Sequence, residues 1–314
     1  SAGMDAKTIA SLVTPSVVSI QVTTASGGGT GSGSIYKSNA TSSYIVTNNH
    51  VVADAATSGT ITVELASGDQ YKATIVGRDA NYDIAVVKIN VGNLPAISIG
   101  DSSQVSVGDP VLAIGSPLGL ANTVTSGIIS SLNRPVTTGT TDSQSFVDAI
   151  QTDAAINPGN SGGALVDAAG RMIGVNSAIA TLGASSGSQS GNIGLGFSIP
   201  ITEAKRVIDE LITEGKSYRP VLGVFFDSTY TGIGAKIARL SPNEGADNAG
   251  VPAGSVIRVI DGVRFLIWRL RLFESAHLLR DLRYQSLSTC LQVVRRHSRS
   301  HLVRQSAALA NQSC

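Results

Sequence analysis

Ser161 lies in the segment Gly159-Asn160-Ser161-Gly162-Gly163, whose residue types could support nucleophilic catalysis. A serine flanked by glycines leaves room for a substrate beside the backbone, and it lets two N–H groups converge on one oxygen. The same segment fits an ordinary Gly-Ser turn, and it also satisfies the G-x-S-x-G elbow of the α/β-hydrolases. Ser161 is therefore a candidate nucleophile whose reaction depends on the base and the acid that accompany it.

His50 is the candidate general base, because it is the only histidine in residues 1–262. An α/β-hydrolase elbow needs a histidine after its serine, whereas a chymotrypsin-like barrel needs the order His, Asp, Ser. His50 precedes Ser161 and follows the apolar run 44–46, where a barrel would place a base at a strand end. A lone histidine is more often structural than catalytic, so the order favours the barrel but does not decide it.

Asp83 is the preferred candidate for the orienting acid. It begins the mostly apolar run 84–89, where a semi-buried carboxylate can accept the imidazole N–H and select one tautomer. Considered alone, Asp83 would be an exposed turn residue at the start of a strand. Asp153 is closer to Ser161 in sequence, but a loop just before the nucleophile is a poorer position for this acid.

Short runs rich in Val, Ile and Thr, separated by Gly, Asn, Asp and Pro, predict the strands that position these residues. Helices do not alternate with the runs, so two antiparallel β-barrels or a sandwich fit better than a parallel sheet. The predicted strands are 17–22, 31–36, 44–47, 61–65, 71–76, 84–89, 111–114, 124–132, 146–151, 164–166, 172–175 and 195–199.

Two helices are predicted outside the strands. Residues 5–13 have an amphipathic pattern, and residues 201–214 carry a longer apolar stripe followed by Gly215, a plausible helix end that closes the first domain. The glycine-rich segment 26–33 and the serine-rich segment 184–191 predict mobile loops. The first of these lacks the spacing and the following helix of a phosphate-binding loop.

The formal net charge of +1 conceals a sharp change in composition at residue 262. Residues 1–262 carry a net charge of −6 and all 34 glycines, whereas residues 263–314 carry +7 and both cysteines. A charged fraction of only 14% argues against a disordered or nucleic-acid-coating protein. No run approaches the roughly 18 apolar residues of a membrane span, and no basic-then-apolar leader opens the chain, so no anchor or export signal is expected here.

Residues 14–214 resemble the HtrA (DegP/DegS-like) branch of the trypsin-fold serine proteases. The low-aromatic composition, rich in Ala, Gly, Val and Thr, is most similar to the PepD-type actinobacterial members. The matching segments occur in the same order here as in the family, and together they are highly specific for it. They are 16–20, 31–35, 45–52, 83–88, 114–119, 125–130, 151–163 and 196–200.

This resemblance implies a mostly β fold of two six-stranded antiparallel barrels, with His50, Asp83 and Ser161 as the catalytic triad. The backbone N–H groups of Gly159 and Ser161 would form the oxyanion hole. Such a triad uses no metal and no cofactor. Loops that order the oxyanion hole in this family would correspond to 26–33, 135–145 and 182–191.

The resemblance also implies a substrate-binding surface formed by Ile156, Asn176, Ser177 and Ala178. No Asp or Glu occurs in the strand 174–179 beside the serine loop, so the sequence predicts a preference for small or medium apolar P1 residues.

The implied role is that of an endopeptidase in extracytoplasmic protein quality control, which digests unfolded chains and has possible chaperone activity. A homotrimer formed through residues 5–13 is expected, and nucleic acid is not. Two alternatives remain at this point. One is a binding or chaperone protein with a resting protease, and the other is an α/β-hydrolase esterase that uses the same Ser161.

Residues 216–262 resemble the beginning of a PDZ domain. Its carboxylate-binding turn would comprise Val221, Leu222, Gly223 and Val224, whose N–H groups would capture peptide C-termini. The predicted organisation is thus a protease domain at 1–215, a partial PDZ-like α+β domain at 216–262 and an Arg-rich tail at 263–314.

The tail 263–314 has no glycine with which to complete the PDZ pattern. Three hypotheses account for it: a basic amphipathic segment suited to anionic lipid, a disordered extension, or translation out of frame. The last is favoured because every compositional measure changes at one point.

Overall fold

The computed structural model describes residues 5–25, 27–116, 123–138, 145–178, 194–218, 222–227, 229–260, 263–264 and 291–294. The chain divides into two compact units, Ser1–Tyr218 and Arg219–Cys314. The first unit holds two closed six-stranded barrels, which confirms the predicted fold class.

The first barrel contains six strands. They are β1 (Val17–Thr24), β2 (Gly27–Ser38), β3 (Ser43–Thr47), β4 (Thr60–Glu64), β5 (Gln70–Asp79) and β6 (Ile84–Ile89). Of these, β1, β3 and β6 are buried along most of their length. The barrel closes in the order β1-β2-β3-β6-β5-β4, with antiparallel neighbours. β-branched side chains such as Ile20, Ile45 and Val87 fill its interior and are shielded from solvent.

The start of β2 corrects the prediction of a mobile loop at 26–33. From Gly27 onward the backbone pairs with β1, and Gly27 lies opposite Thr24. Glycine is required here for space, since a Cβ on Gly33 would lie 2.6 Å from a methyl carbon of Ile45. Close packing therefore accounts for Gly31 and Gly33, whereas a Cβ on Gly27 or Gly29 would meet no described atom within 4 Å.

The second barrel contains β7 (Pro110–Gly115), β8 (Thr123–Thr138), β9 (Ser145–Thr152), β10 (Ala164–Val166), β11 (Met172–Ser177) and β12 (Gly196–Pro200). It closes in the order β10-β11-β12-β9-β8-β7. β8 continues six residues past its predicted end at 132, so both edges of the predicted loop 135–145 belong to strands. Residues 26, 139–144 and 182–191 of the predicted loops lie outside the described part of the chain.

Helix α1 (Ala6–Val13) precedes β1, and helix α2 (Asn49–Val52) lies between β3 and β4. The carboxylate of Asp5 caps the first turn of α1. Ile9 of α1 is buried, whereas Leu12 on the other side is 57% exposed.

Helix α3 (Ile201–Glu214) coincides with its predicted bounds. It ends at Gly215, whose left-handed conformation (φ +71°) favours glycine. The buried stripe of α3 packs against β5 and β6 of the first barrel and against β11 and β12 of the second, so the helix joins both barrels in one core. This stripe consists of Ile201, Ala204, Val207, Ile208 and Leu211.

The described residues of the second unit form a small sheet and one short helix. Its elements are β13 (Val224–Phe226), β14 (Ala235–Leu240), α4 (Gly245–Asn248), β15 (Val256–Ile260), β16 (Val263–Arg264) and β17 (Leu291–Val294). The sheet order is β13-β14-β15-β16, and β17 pairs with β15. The hypotheses for the tail 263–314 remain predictions, because only β16 and β17 of it are described. In the described ranges, no helix has the length and apolar character needed to cross a membrane.

Candidate active site

Asp83 and His50 form a close pair at the end of the first barrel. The Asp83 carboxylate oxygens lie 2.9 Å (Oδ2) and 3.1 Å (Oδ1) from Nδ1 of His50, and the His50 backbone N–H donates to Oδ1 at 3.0 Å. Asp83 is buried, whereas the side chain of His50 is 22% exposed. The carboxylate therefore orients the imidazole through Nδ1 and leaves Nε2 for a reacting group.

The backbone of Asp83 adopts a left-handed conformation, with φ at +51°. Aspartate is one of the few non-glycine residue types that tolerate this region. Two donors hold its carbonyl oxygen, the N–H of Asn49 at 3.1 Å and Nδ2 of Asn48 at 2.9 Å. Both donors directly precede His50, so the segment that carries the base also positions the acid.

The Ser161 loop connects β9 to β10. It is tied to β11 by the Gly162 N–H, which donates to the carbonyl of Asn176 at 2.9 Å. Gly159 has φ at +98°, a conformation that favours glycine. Among the described residues, the N–H groups of Gly159 and Ser161 donate to no carbonyl or side chain. Two neighbouring donors are thus free to bind an oxyanion.

The Ser161 loop lies against the first barrel beside the segment that carries His50. A Cβ on Gly162 would lie 3.1 Å from Cα of Thr47, and a Cβ on Gly31 would lie 3.2 Å from the carbonyl oxygen of Ser161. The glycines on both sides permit this approach. The fold therefore brings the predicted base, acid and nucleophile to one seam between the barrels.

The hydroxyl of Ser161 is oriented toward β11. Its Oγ accepts a hydrogen bond from the N–H of Ala178 at 3.0 Å. Within the described part of the chain, no hydrogen bond joins this oxygen to the His50 ring. In this arrangement the Ser161 Oγ is bound by the Ala178 N–H and not by the base.

The four predicted substrate-binding residues lie around the Ser161 loop with different environments. Ile156 is buried, and a Cβ on Gly196 would lie 3.1 Å from its Cδ1. Ser177 is also buried, and its hydroxyl has no hydrogen-bond partner among the described residues. Ala178 contacts Ser161 as described above.

Asn176 is occupied by hydrogen bonds inside the second barrel. Its Nδ2 donates to the carbonyl of Ala164 at 3.0 Å, and its Oδ1 accepts from the Ser198 hydroxyl at 2.8 Å. Its carbonyl holds Gly162, as noted above. The backbone of Asn176 thus holds the loop of the nucleophile, while its side chain joins β10 and β12.

Asp153, the other acid considered, lies away from His50. It is exposed, and its Oδ1 accepts the N–H of Ile128 on β8 at 2.7 Å. It closes a bend of the second barrel, and Asp83 alone of the two carboxylates pairs with the base.

The predicted carboxylate-binding turn lies in the second unit. Val221 falls outside the described residues. Leu222 is buried and accepts the N–H of Ala246, and Gly223 has φ at +70°. Val224 begins β13 and pairs with Leu240.

Comparisons with known proteins agree with this geometry. The family model of the trypsin-like peptidase domain matches residues 31–175. The solved structure of the HtrA-type protease AlgW with a tripeptide superposes with a TM-score of 0.66 at 36% identity, over 83% of this chain and 84% of that chain. The chain belongs to the HtrA family of serine proteases.

Other HtrA-family members show the same relationship. The serine endoprotease from Yersinia pestis superposes with a TM-score of 0.63 at 31% identity, over 93% of both chains. The serine protease PepD of Mycobacterium tuberculosis is 51% identical over 81% of this chain, and the periplasmic serine endoprotease DegP of Escherichia coli is 40% identical over 70%. The chain spans 56% of the length of PepD and 46% of that of DegP.

Sequence reasoning did not single out Ser32 or Thr47, which the structure places beneath the Ser161 loop. Ser32 lies in one of the matched segments, yet a serine between glycines gives no sign of its partners. These partners come from the second barrel and only the closed fold supplies them.

Proposed function

We propose that this chain is a serine endopeptidase that uses His50, Asp83 and Ser161. The observation that carries the proposal is the Asp83 carboxylate bound to Nδ1 of His50, beside a Ser161 loop whose Gly159 and Ser161 N–H groups are unengaged. Membership of the HtrA family also supports the proposal.

In the proposed reaction, Ser161 Oγ gives up its hydrogen bond from the Ala178 N–H and attacks the peptide carbonyl. Nε2 of His50 accepts the hydroxyl proton, and Asp83 stabilises the resulting imidazolium. The N–H groups of Gly159 and Ser161 bind the oxyanion. His50 then passes its proton to the leaving amine. Water, deprotonated by His50, attacks the acyl-enzyme, and His50 returns that proton to Ser161 Oγ as the carboxylic acid leaves.

The P1 preference is proposed to be for small or medium apolar residues. Strand β11 and Ala178 carry no carboxylate next to the nucleophile, and Ile156 presents an aliphatic side chain nearby. A basic P1 side chain would lack a partner charge and would pay the cost of desolvation.

The proposed cellular role is degradation of unfolded proteins outside the cytoplasm. DegP of Escherichia coli and a relative in Haemophilus influenzae are named periplasmic proteases. A homotrimer formed through α1 is part of this proposal, supported by Leu12, which α1 exposes to solvent instead of burying. Peptide C-termini are the proposed ligands of Leu222, Gly223 and Val224, together with Val221.

A resting protease with a binding role is the second candidate. The hydrogen bond from the Ala178 N–H to Ser161 Oγ favours it, because the nucleophile in this arrangement does not engage the base. The esterase alternative is not supported, since an α/β-hydrolase elbow joins a strand to a helix, whereas Ser161 lies between two strands of a closed antiparallel barrel.

The decisive experiment is digestion of an unfolded protein such as reduced casein by the wild type and by Ser161→Ala, with cleavage sites read by mass spectrometry. We expect the wild type alone to cleave, after small apolar residues, since loss of the nucleophile costs on the order of 10⁶-fold in turnover. Labelling of Ser161 by a fluorophosphonate separates the two candidates. Rapid labelling that His50→Ala abolishes excludes the resting protease, and equal cleavage by Ser161→Ala refutes the triad.

A further inference from the structure

Ser32 connects the first barrel to the loop that carries the nucleophile. It lies on β2 between Gly31 and Gly33, and its side chain is completely buried. Its hydroxyl donates to the carbonyl of Gly159 at 2.6 Å and accepts the N–H of Ser116 at 2.8 Å. Both partners belong to the second barrel.

The direction of these two hydrogen bonds leaves no ambiguity. A backbone carbonyl can only accept and a backbone N–H can only donate, so the single hydroxyl proton of Ser32 must point at Gly159. The N–H of Ser116 occupies a lone pair of the same oxygen and holds the hydroxyl in this rotamer. The carbonyl of Gly159 is therefore held by a donor that is itself fixed.

The backbone of Ser32 holds the second residue of the proposed oxyanion hole. Its N–H donates to the carbonyl of Ser161 at 2.8 Å, and its own carbonyl accepts the Thr47 hydroxyl at 2.7 Å. Thr47 ends β3, three residues before His50. Ser32 thus contacts both residues whose N–H groups are free, and it is linked to the segment of the base.

The contact with Gly159 matters because glycine has little intrinsic preference between peptide orientations. Gly159 has φ at +98°, and its N–H points to no partner among the described residues. The peptide that follows it is fixed at one end by the Ser32 hydroxyl and at the other by the Asn160 N–H, which donates to Asn157 at 2.9 Å. Without the hydroxyl, the Gly159 carbonyl is a buried acceptor without a partner, and rotation about the glycine becomes the way to satisfy it.

We propose that Ser32 is a positioning residue for the oxyanion hole, whose hydroxyl keeps the Gly159 N–H aimed at the reacting carbonyl. The inference rests on the proposed endopeptidase function. Ser32 does not touch the substrate in this assignment; it acts on the transition state through Gly159.

The test compares Ser32→Ala with Ser34→Ala, using a chromogenic peptide with a small apolar P1 residue. Ser34 is two residues away on β2 and equally buried, but its hydroxyl has no hydrogen-bond partner among the described residues. Both variants lose one buried hydroxyl from the same strand. We expect Ser32→Ala to lower kcat about 10-fold or more with KM close to wild type, short of the 10²–10³-fold loss of a whole oxyanion donor. Ser34→Ala should leave kcat near the wild-type value.

A peptide aldehyde provides the second readout, because its hemiacetal oxygen occupies the oxyanion hole. The inhibition constant of the aldehyde should rise in Ser32→Ala by the same factor by which kcat/KM falls, whereas a non-cleavable peptide of the same sequence should bind as it does to the wild type. A purely structural defect would weaken the binding of both the aldehyde and the non-cleavable peptide, or would lower the active fraction, without a difference between the two ligands.

Several outcomes overturn the assignment. Unchanged kcat in Ser32→Ala does so, as does an equal loss of kcat in Ser34→Ala. If circular dichroism shows that Ser32→Ala does not fold, Ser32→Cys replaces it. This variant should fold, but its thiol is a longer and weaker donor, so kcat should fall at constant KM. Full kcat in that variant also refutes the role. A wild type that hydrolyses nothing is a failure of the proposed function instead, and it is recognised before any variant is compared.

Discussion

Asp83 receives its position from residues that are more than thirty positions earlier in the chain. Its carboxylate accepts hydrogen bonds from the ring and the backbone of His50, and its carbonyl accepts from Asn48 and Asn49. These contacts offset the strain of its positive φ. At the scale of the residue, the acid and the base are therefore one unit rather than two independent side chains.

The first prediction concerns the carboxylate of Asp83. Asp83→Asn should lower kcat by about 10⁴-fold with the fold intact, because an amide presents an N–H to Nδ1 and favours the wrong tautomer. Peptide hydrolysis measures the loss. Asp153→Asn is the matched control, since its Oδ1 can still accept the Ile128 N–H. A comparable loss in the control would contradict the assignment of the acid.

The second prediction concerns the space around Gly162. Gly162 and Gly194 share the same φ of +86°, but a Cβ on Gly162 would lie 2.1 Å from the Ser32 carbonyl oxygen, whereas one on Gly194 meets no atom of the described residues within 4 Å. Gly194→Ala should cost about 1–2 kcal/mol of unfolding free energy from backbone strain alone. Gly162→Ala should cost more than about 3 kcal/mol, because strain and overpacking add. Urea unfolding of both variants measures the two losses of unfolding free energy. Similar losses would show that the Ser161 loop can move away from Ser32 and Thr47 to make room for a methyl group.

At the scale of the element, α3 joins the two barrels that supply the base and the nucleophile. Its apolar stripe packs on strands of both barrels, and its polar side reaches β2. Asp209 accepts hydrogen bonds from the Tyr36 hydroxyl at 3.1 Å and from Lys37 at 3.1 Å, and it also pairs with Lys205. The helix therefore stabilises the seam through burial and through one charged cluster.

A third prediction tests the burial of α3. Leu211→Ala should lower the unfolding free energy by about 2–5 kcal/mol, since this completely buried side chain leaves a cavity. The neighbouring Ile212 is only partly buried, so Ile212→Ala should cost clearly less. Urea unfolding at neutral pH provides the comparison. Equal losses of unfolding free energy in the two variants would mean that the buried stripe of α3 does not hold the helix against the barrels.

A fourth prediction concerns the pH dependence of the Asp209 cluster. Burial raises the pKa of Asp209, but hydrogen bonds and charges from Lys205 and Lys37 outweigh this and hold it below the ordinary value of 3.8. Burial and the Asp209 charge raise the pKa of Tyr36, so the tyrosine stays protonated at neutral pH. Since the Asp209 pKa is lowered on folding, its contribution is present above about pH 4 and is lost as the pH falls through the folded value.

Asp209→Asn should accordingly reduce the unfolding free energy at neutral pH by no more than about 1 kcal/mol, because solvent screens this partly exposed pair. The difference from the wild type should shrink as the pH falls through the lowered folded-state pKa of Asp209 and vanish once both side chains are neutral. Denaturant unfolding at neutral and at acidic pH measures it. Lys37→Met, which removes one partner, should show a smaller change of the same sign, and a difference that grows in acid would contradict the sign.

At the scale of the whole molecule, the chain forms two units with different contents. Ser1–Tyr218 contains both closed barrels, α3 and the three proposed catalytic residues, whereas Arg219–Cys314 contains the small second sheet. The first unit has a continuous core that extends from α1 to α3. Its stability should not depend on the second unit.

A fifth prediction follows from this division. A chain that ends after Tyr218 should fold and should hydrolyse a short peptide with unchanged kcat, since its core and site are complete. A chain that ends after Pro200 is the control; it loses α3, exposes an apolar face of both barrels and should not fold. Circular dichroism and peptide hydrolysis measure both. An inactive but folded first truncation would show that the second unit takes part in catalysis.

Much of this organisation was accessible from the sequence because its signals are local. The runs of β-branched residues predicted the strands, and the apolar period with Gly215 predicted α3 at its observed bounds. The prediction of a mobile loop at 26–33 was wrong because contacts that are not local determine the structure of this segment. Gly31 and Gly33 leave space for Val51 of α2 and Ile45 of β3, which are distant in sequence, and composition alone cannot distinguish clearance from mobility.

The sequence by itself determined the types of the reacting groups and their order, His50, Asp83 and Ser161, together with the two-barrel fold that this order favours. Only the tertiary structure decided which carboxylate meets the base, which N–H groups remain free, and that Ser32 holds the Gly159 carbonyl. The physical reason is distance along the chain. Strand and helix propensities act over a few residues, whereas these hydrogen bonds join residues that only barrel closure brings within reach.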